Sequence, residues 1–318
     1  MNRRAFLSVV AAYLGARADA DEPTIPIIDS HIHLFDIARP QGVPWPPKDN
    51  SILFKPALPA RYEKIARPFG VVGAIEIEAS PWLEDNQWVL DLAAKNPIIV
   101  GTVGDLEPGK SDFRNQLDRF HRNPLFRGIR YGNLWGRDLG ARLSEPAFIA
   151  DLKLLQEAGL ELDTANPDPA LINHVVRLTD KLPGLRIVID HLPQLQPPNT
   201  PEAERSYEHD LLELGKRPNV YVKVSQVLRK VNGRVPLDMS LYKPVLDRLW
   251  QIFGPDRLIY GSDWPNCDLW GTYAQVIGIV RPYFLSKGRG AAENYFWRNS
   301  AAAYRWVPRS DDQLRLRV

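Results

Sequence analysis

The sequence predicts an α/β protein built as a closed, parallel (β/α)8 barrel, the TIM-barrel architecture. Two observations point there. From Pro23 onward short β-branched apolar runs alternate with longer stretches of helical period, and there are eight such runs within the 318 residues. Consecutive parallel strands need right-handed crossovers, and eight strand–helix units in a chain of this length suit a closed barrel better than an open, doubly wound sheet. No G-x-G-x-x-G follows the first run, which argues against an open dinucleotide-binding sheet.

The first run is Ile25 to Ile28, and a proline-rich stretch from Phe35 to Ala60 follows it, containing Trp45, Pro46 and Pro47. This stretch is expected to be a loop over the barrel mouth that distorts the first unit. Val71 to Ile77 is the second strand, with Leu83 to Asn96 as its helix, and Ile98 to Val103 is the third. Arg127 to Tyr131 is the fourth, followed by helical spacing from Pro146 to Ala158. Leu160 to Thr164 and Arg186 to Asp190 are the fifth and sixth, separated by a helix over Asp168 to Lys181. Ala203 to Lys216 leads to the seventh strand, Val220 to Val224, and Leu241 to Phe253 to the eighth, Leu258 to Gly261. Glycine or proline often closes the helical stretches, as a helix stop should.

Composition bounds the function. Hydrophobic residues make up 44% and charged residues 25%, which is enough for a large core and excludes a disordered or fibrous chain. A formal net charge of +2 provides no field to recruit nucleic acid or an anionic membrane, so a small-molecule substrate is expected. The single cysteine, Cys267, excludes an internal disulfide and a cysteine-built zinc site. Residues 1–20 read as a separate export segment. Arg3 and Arg4 precede an apolar run from Ala5 to Gly15, and Ala18-Asp19-Ala20 resembles a cleavage site. The adjacent arginines resemble a twin-arginine signal. That reading leaves residues 21–318 as one exported, periplasmic barrel domain with no membrane span after the signal is removed.

In such a barrel, chemistry collects at the C-terminal ends of the strands. The first strand leads into Asp29-Ser30-His31-Ile32-His33, where a period of two puts both imidazoles on one side, about 7 Å apart at the backbone and close enough to share an ion. The sixth strand delivers His191, and the eighth runs into Asp263, which barrel closure sets beside the first strand. Asp29 and Asp190 lie out of phase with these histidines and are expected to face outward as structural residues, or to orient the histidines from behind. Glu76 and Glu78 share one side of the second strand, and Arg130, at the end of the fourth, suits a carboxylate clamp. Lys223 and Ser225 on the seventh are weaker candidates of the same kind. His121, His174 and His209 fall in helical patterns and read as structural.

The combination of His31-x-His33, Ile189-Asp-His191-Leu-Pro and Tyr260-Gly-Ser-Asp263-Trp-Pro resembles the amidohydrolase superfamily, in particular its family 2. Phe126-Arg-Gly-Ile-Arg-Tyr and Asn219-Val-Tyr-Val-Lys-Val-Ser are similar to its lactonases, which act on sugar-acid lactones, pyrone dicarboxylates or muconolactones. The resemblance spans Ile25 to Trp306. It implies hydrolysis of a cyclic ester, with Asp263 as general base on water and His191 as electrophile or proton donor. It also implies one divalent ion, zinc or manganese, held by His31, His33 and Asp263 with help from His191 or Asp163. A metal-independent mechanism, in which the histidines polarise the carbonyl, stays open. The fifth strand lacks the histidine and the fourth the lysine or glutamate of binuclear relatives, which argues against two metals. Arg130 and Lys223 would bind an anionic lactone, whereas a neutral sugar lactone would favour Glu76 and the tryptophans. A metal-dependent decarboxylase and a non-catalytic sugar-acid binder are the alternatives.

Overall fold

The computed structural model describes residues 24–316 and has eight parallel strands hydrogen-bonded in chain order. These are β1 (Ile27–Ile32), β2 (Val71–Ile77), β3 (Ile99–Gly104), β4 (Phe126–Arg130), β5 (Glu161–Asp163), β6 (Arg186–Ile189), β7 (Val220–Val224) and β8 (Leu258–Tyr260). The helices α1 (Pro59–Ala66), α2 (Leu83–Ala94), α3 (Phe113–His121), α4 (Pro146–Glu157), α5 (Pro169–Lys181), α6 (Pro201–Gly215), α7 (Lys243–Phe253) and α8 (Tyr273–Ser286) each follow the strand of the same number. The (β/α)8 barrel expected from the alternation is therefore present. The export segment expected at residues 1–20 lies outside the described residues. No helix among those described is long and apolar enough to cross a membrane.

Four of the 28 prolines are the first residues of barrel helices. Pro59, Pro146, Pro169 and Pro201 sit in first turns, where a missing N–H costs nothing and the fixed φ is already helical. Asp168 caps α5 by accepting the Leu171 N–H at 2.7 Å, and Thr272 with Gln275 forms a reciprocal capping box on α8. The apolar runs Ile187–Ile189 and Ile98–Val100 are buried between the barrel interior and these helices, so they read as nearly continuous hydrophobic stretches.

The seam between β8 and β1 positions the site. His33 N–H donates to Trp264 O at 2.8 Å, and Asp263 N–H donates to His31 O at 2.9 Å. Ser30 Oγ donates to Tyr260 O at 2.5 Å, which lets a polar residue lie inside the pairing region. As a result β1 runs four residues beyond the apolar run ending at Ile28, through the first histidine. Gly261 is required here, because a Cβ at that position would come within 2.8 Å of the His31 Cβ.

The 35–60 segment is tied at its base by paired backbone bonds between Phe35 and Ala57, at 3.1 and 2.9 Å. From that base it leans over the barrel mouth, and the Trp45 ring stands edge-on to His33 at 5.6 Å.

Candidate active site

His31 and His33 both point into the barrel mouth, with their Nε2 atoms 3.3 Å apart. The Nδ1 of His33 lies 2.9 Å from Ile77 O. A carbonyl only accepts, so Nδ1 carries the proton and the Nε2 lone pair faces the site. Asp263 adopts a left-handed φ of 61°, a conformation that costs a non-glycine residue about 1–3 kcal/mol and tends to collect at functional sites. That turn aims its carboxylate back at the histidines. Oδ2 accepts from Gln226 Nε2 at 2.6 Å and from Asn266 Nδ2 at 3.0 Å. Oδ1 has no hydrogen-bond donor and stands 3.3 Å from His33 Nε2 and 3.5 Å from His31 Nε2. His191, left-handed at φ 52°, brings Nδ1 to 2.7 Å from Ser225 Oγ and Nε2 to 3.9 Å from Asp263 Oδ1.

These atoms suit a metal. Tetrahedral bonds of about 2.0–2.1 Å give ligand-to-ligand edges of about 3.3–3.4 Å, and the three edges among His31 Nε2, His33 Nε2 and Asp263 Oδ1 are 3.3, 3.5 and 3.3 Å. The buried, unpartnered Oδ1 completes a convergent donor set. A second grouping, His31 with Asp190 and His191, also draws together. There the Lys223 Nζ already lies 3.1 Å from His31 Nδ1 and 3.0 Å from Asp190 Oδ1. Asp163 stays out of the first group, bonded to Lys223 and to the Tyr304 hydroxyl.

Asp190 corrects a sequence expectation. It was to face outward, but β6 ends at Ile189 and the left-handed turn at His191 suspends the two-residue alternation. Its carboxylate therefore enters the site, 3.4 Å from His31 Nδ1 and bonded through Oδ2 to Arg130 Nε at 3.0 Å. Asp29 does point away from the histidine rings. Arg130, beside Asp190 and 3.9 Å from Glu78, and Lys223, between Asp163, Asp190 and His31, both spend their charge inside the protein. Glu76 keeps an unpartnered, buried Oε1, and Glu78 accepts from Trp135 Nε1 and Ser80 N–H.

The electrostatics follow from burial and these neighbours. Burial opposes ionisation of Asp263, but the rings of His191, His33 and His31 outweigh it and hold the carboxyl below its usual range. Asp190 is likewise held well below, with Lys223, His31 and Arg130 overcoming its burial. Burial, reinforced by Lys223, drives His31 well below the ordinary imidazole value, and burial brings His191 down to about 4. The site at neutral pH thus combines ionised aspartates with neutral His31 and His191. Burial also raises Glu78 to about 8 and lifts Glu76 well above the carboxylate range, with Glu78 adding repulsion. Burial lowers Lys223, but Asp163 and Asp190 more than restore its charge.

Two cavities flank the centre. One, of only about 20 Å³, is walled by Trp45, Trp88, Glu76, Glu78 and Arg39; Arg39 is paired with Asp85 at 2.5 Å. The other, of about 250 Å³, is lined by His191, Gln226, Asn166, Gln194 and Gln196. Sequence reasoning missed Gln226 and Asn266, the two amides that hold Asp263. Their only sequence signal was position just beyond a strand end.

A family model described as amidohydrolase matches residues 28–306. The chain belongs to the amidohydrolase family. An L-fucono-1,5-lactonase from Burkholderia ambifaria is 30% identical over 250 residues, covering 77% of this amidohydrolase and 82% of that protein. Among solved structures, a zinc-bound amidohydrolase from Burkholderia multivorans superposes with a TM-score of 0.77 at 21% identity, over 88% of this chain and 99% of that one. A putative 2-pyrone-4,6-dicarboxylic acid hydrolase from Pseudomonas putida does so with 0.69 at 22% identity, over 88% and 97%. At those identities the two structural likenesses speak for the fold, while the family match makes this amidohydrolase a hydrolase.

Proposed function

We propose that this amidohydrolase opens the lactone ring of a neutral, polyhydroxylated sugar acid. The observation that carries the reading is the pairing of the cations that touch the centre or line the Trp45 cavity. Arg130, Lys223 and Arg39 all face aspartates, whereas Glu76 Oε1 lacks a donor beside Trp45 and Trp88. Carboxyl acceptors and aromatic walls suit hydroxyl-bearing rings, and a free guanidinium for a substrate carboxylate is missing from the cavity linings. The L-fucono-1,5-lactonase relative supports the same class.

In ring opening, water adds to the lactone carbonyl carbon, the ring C–O bond breaks, and the ring oxygen ends as a hydroxyl. Asp263, ionised and held by Gln226 and Asn266, takes the proton from water. His191 is neutral, and with Ser225 donating to its Nδ1 it presents Nε2–H to the developing oxyanion. One such donor is worth about 3–4 kcal/mol of barrier. A divalent ion held by His31, His33 and Asp263 would supply Lewis acidity for the carbonyl and for ionising water.

The test is proton release, followed with a pH indicator, across aldonolactones, muconolactones and pyrone dicarboxylates. Neutral hydroxylated lactones should give kcat/KM at least ~10-fold above the carboxylated ones. The opposite order, or carbon dioxide as product, would overturn the reading.

A further inference from the structure

We propose that the Lys223 ammonium is a built-in cation standing where a second metal ion would sit, and that it restricts the centre to one exchangeable divalent ion. Lys223 is fully buried, hydrogen-bonds to Asp163 Oδ2 and to His31 Nδ1 at 3.1 Å, and forms an ion pair with Asp190 Oδ1 at 3.0 Å. Two carboxylate oxygens and an imidazole nitrogen form a donor set that divalent ions use. Each carboxylate is also held on its far oxygen, Asp163 by Tyr304 Oη at 2.7 Å and Asp190 by Arg130 Nε at 3.0 Å. The cradle is thus as rigid as a metal site, but its cation is covalently part of β7 and cannot leave.

Charge counting gives the same limit. Asp163, Asp190 and Asp263 against Lys223 and Arg130 leave one net negative charge, which a single divalent ion already more than neutralises. A second ion would enter positive surroundings and meet the ammonium within the His31, Asp190 and His191 grouping.

The contact also fixes a proton. In the metal-free centre the ammonium only donates, so His31 Nδ1 accepts, and the neutral ring carries its hydrogen on Nε2, toward His33 Nε2. An ion on Nε2 would require that hydrogen on Nδ1, where Asp190 Oδ1 at 3.4 Å would accept it while Lys223 keeps its two carboxylates. Lys223 is therefore a positioning residue for His31.

Two measurements on the full chain test this. Chelated wild type and Lys223→Ala are titrated with zinc ion alone, followed by calorimetry and elemental analysis. Wild type should take about one equivalent and Lys223→Ala about one more. Equal stoichiometry in a folded Lys223→Ala, or two equivalents in wild type, overturns the proposal. Should the variant fail to fold, nitrogen-15 NMR of metal-free wild type decides: the His31 proton on Nε2 supports the proposal, and on Nδ1 it overturns it. Neither readout involves turnover, so failure here is distinguishable from failure of the lactonase reading.

Discussion

Asp29 Oδ1 accepts the Ser262 backbone N–H across the barrel seam at 2.8 Å. The same oxygen takes the His31 N–H at 3.3 Å, and Oδ2 takes the hydroxyls of Tyr62 and Tyr273 at 2.8 and 3.0 Å. One buried carboxylate thus fixes the backbone of both the first histidine and the residue before Asp263. Asp29→Ala strands four buried donors, which should cost about 3–5 kcal/mol. Thermal unfolding should show Tm falling by about 5–15 °C, and an unchanged Tm would refute the pinning role.

Asp263→Asn should lower kcat by about 10²–10⁴-fold on the preferred lactone, the usual worth of a positioned base. The near-isosteric change should leave the far-UV circular dichroism as in wild type. Gln226→Ala, which frees one side of Oδ2, should lower kcat by about 10-fold or more while barely moving KM, as expected where only the orientation of the base is lost. Steady-state kinetics of both variants checks this, and wild-type turnover in Asp263→Asn would remove Asp263 from the chemistry.

The near-tetrahedral edges among His31, His33 and Asp263 predict a cobalt-substituted protein with the intense visible bands of four-coordinate cobalt. His33→Ala removes a ligand and should weaken zinc binding by about 10²-fold or more. Competition with a chromophoric chelator measures the affinity, and an unaltered affinity would place the ion elsewhere.

Glu78 predicts a pH dependence of stability. Its carboxyl titrates near 8 when folded because burial opposes its charge, and near 4.3 when unfolded. Between those values the folded state holds the extra proton, so stability is lost as pH rises through that window. Glu78→Gln removes this contribution. Denaturation midpoints from pH 5 to 8.5 should fall less steeply in the variant, by an integrated difference of about 2–5 kcal/mol. Parallel curves for the two proteins would contradict the raised value.

The alternation of β-branched and helical segments was enough to identify the barrel, because parallel strands joined by crossovers have few ways to hide both faces of a sheet. The His31-x-His33 spacing was legible for a similar reason. His31 lies on β1 and His33 directly follows its last residue, so the two-residue repeat of the strand still sets which side both rings share. That rule stops where the chain turns. Asp190, His191, Gln226 and Asp263 sit just past strand ends, and three of them take left-handed φ values of 52°, 50° and 61°, so their directions follow from the turns. Asp190 was misread for this reason.

The sequence by itself determined the fold, the two histidines at the end of β1 and the arrival of Asp263 beside them, all consequences of local period and chain order. Tertiary structure alone decided which charges remain for a substrate. Arg130 and Lys223 looked like anion clamps in isolation, but Asp190 lies 60 residues from Arg130 and Asp163 lies 60 from Lys223. Partners that far apart are chosen by barrel closure and strand register. In a dry interior a buried cation must be matched by whichever carboxylate that register delivers.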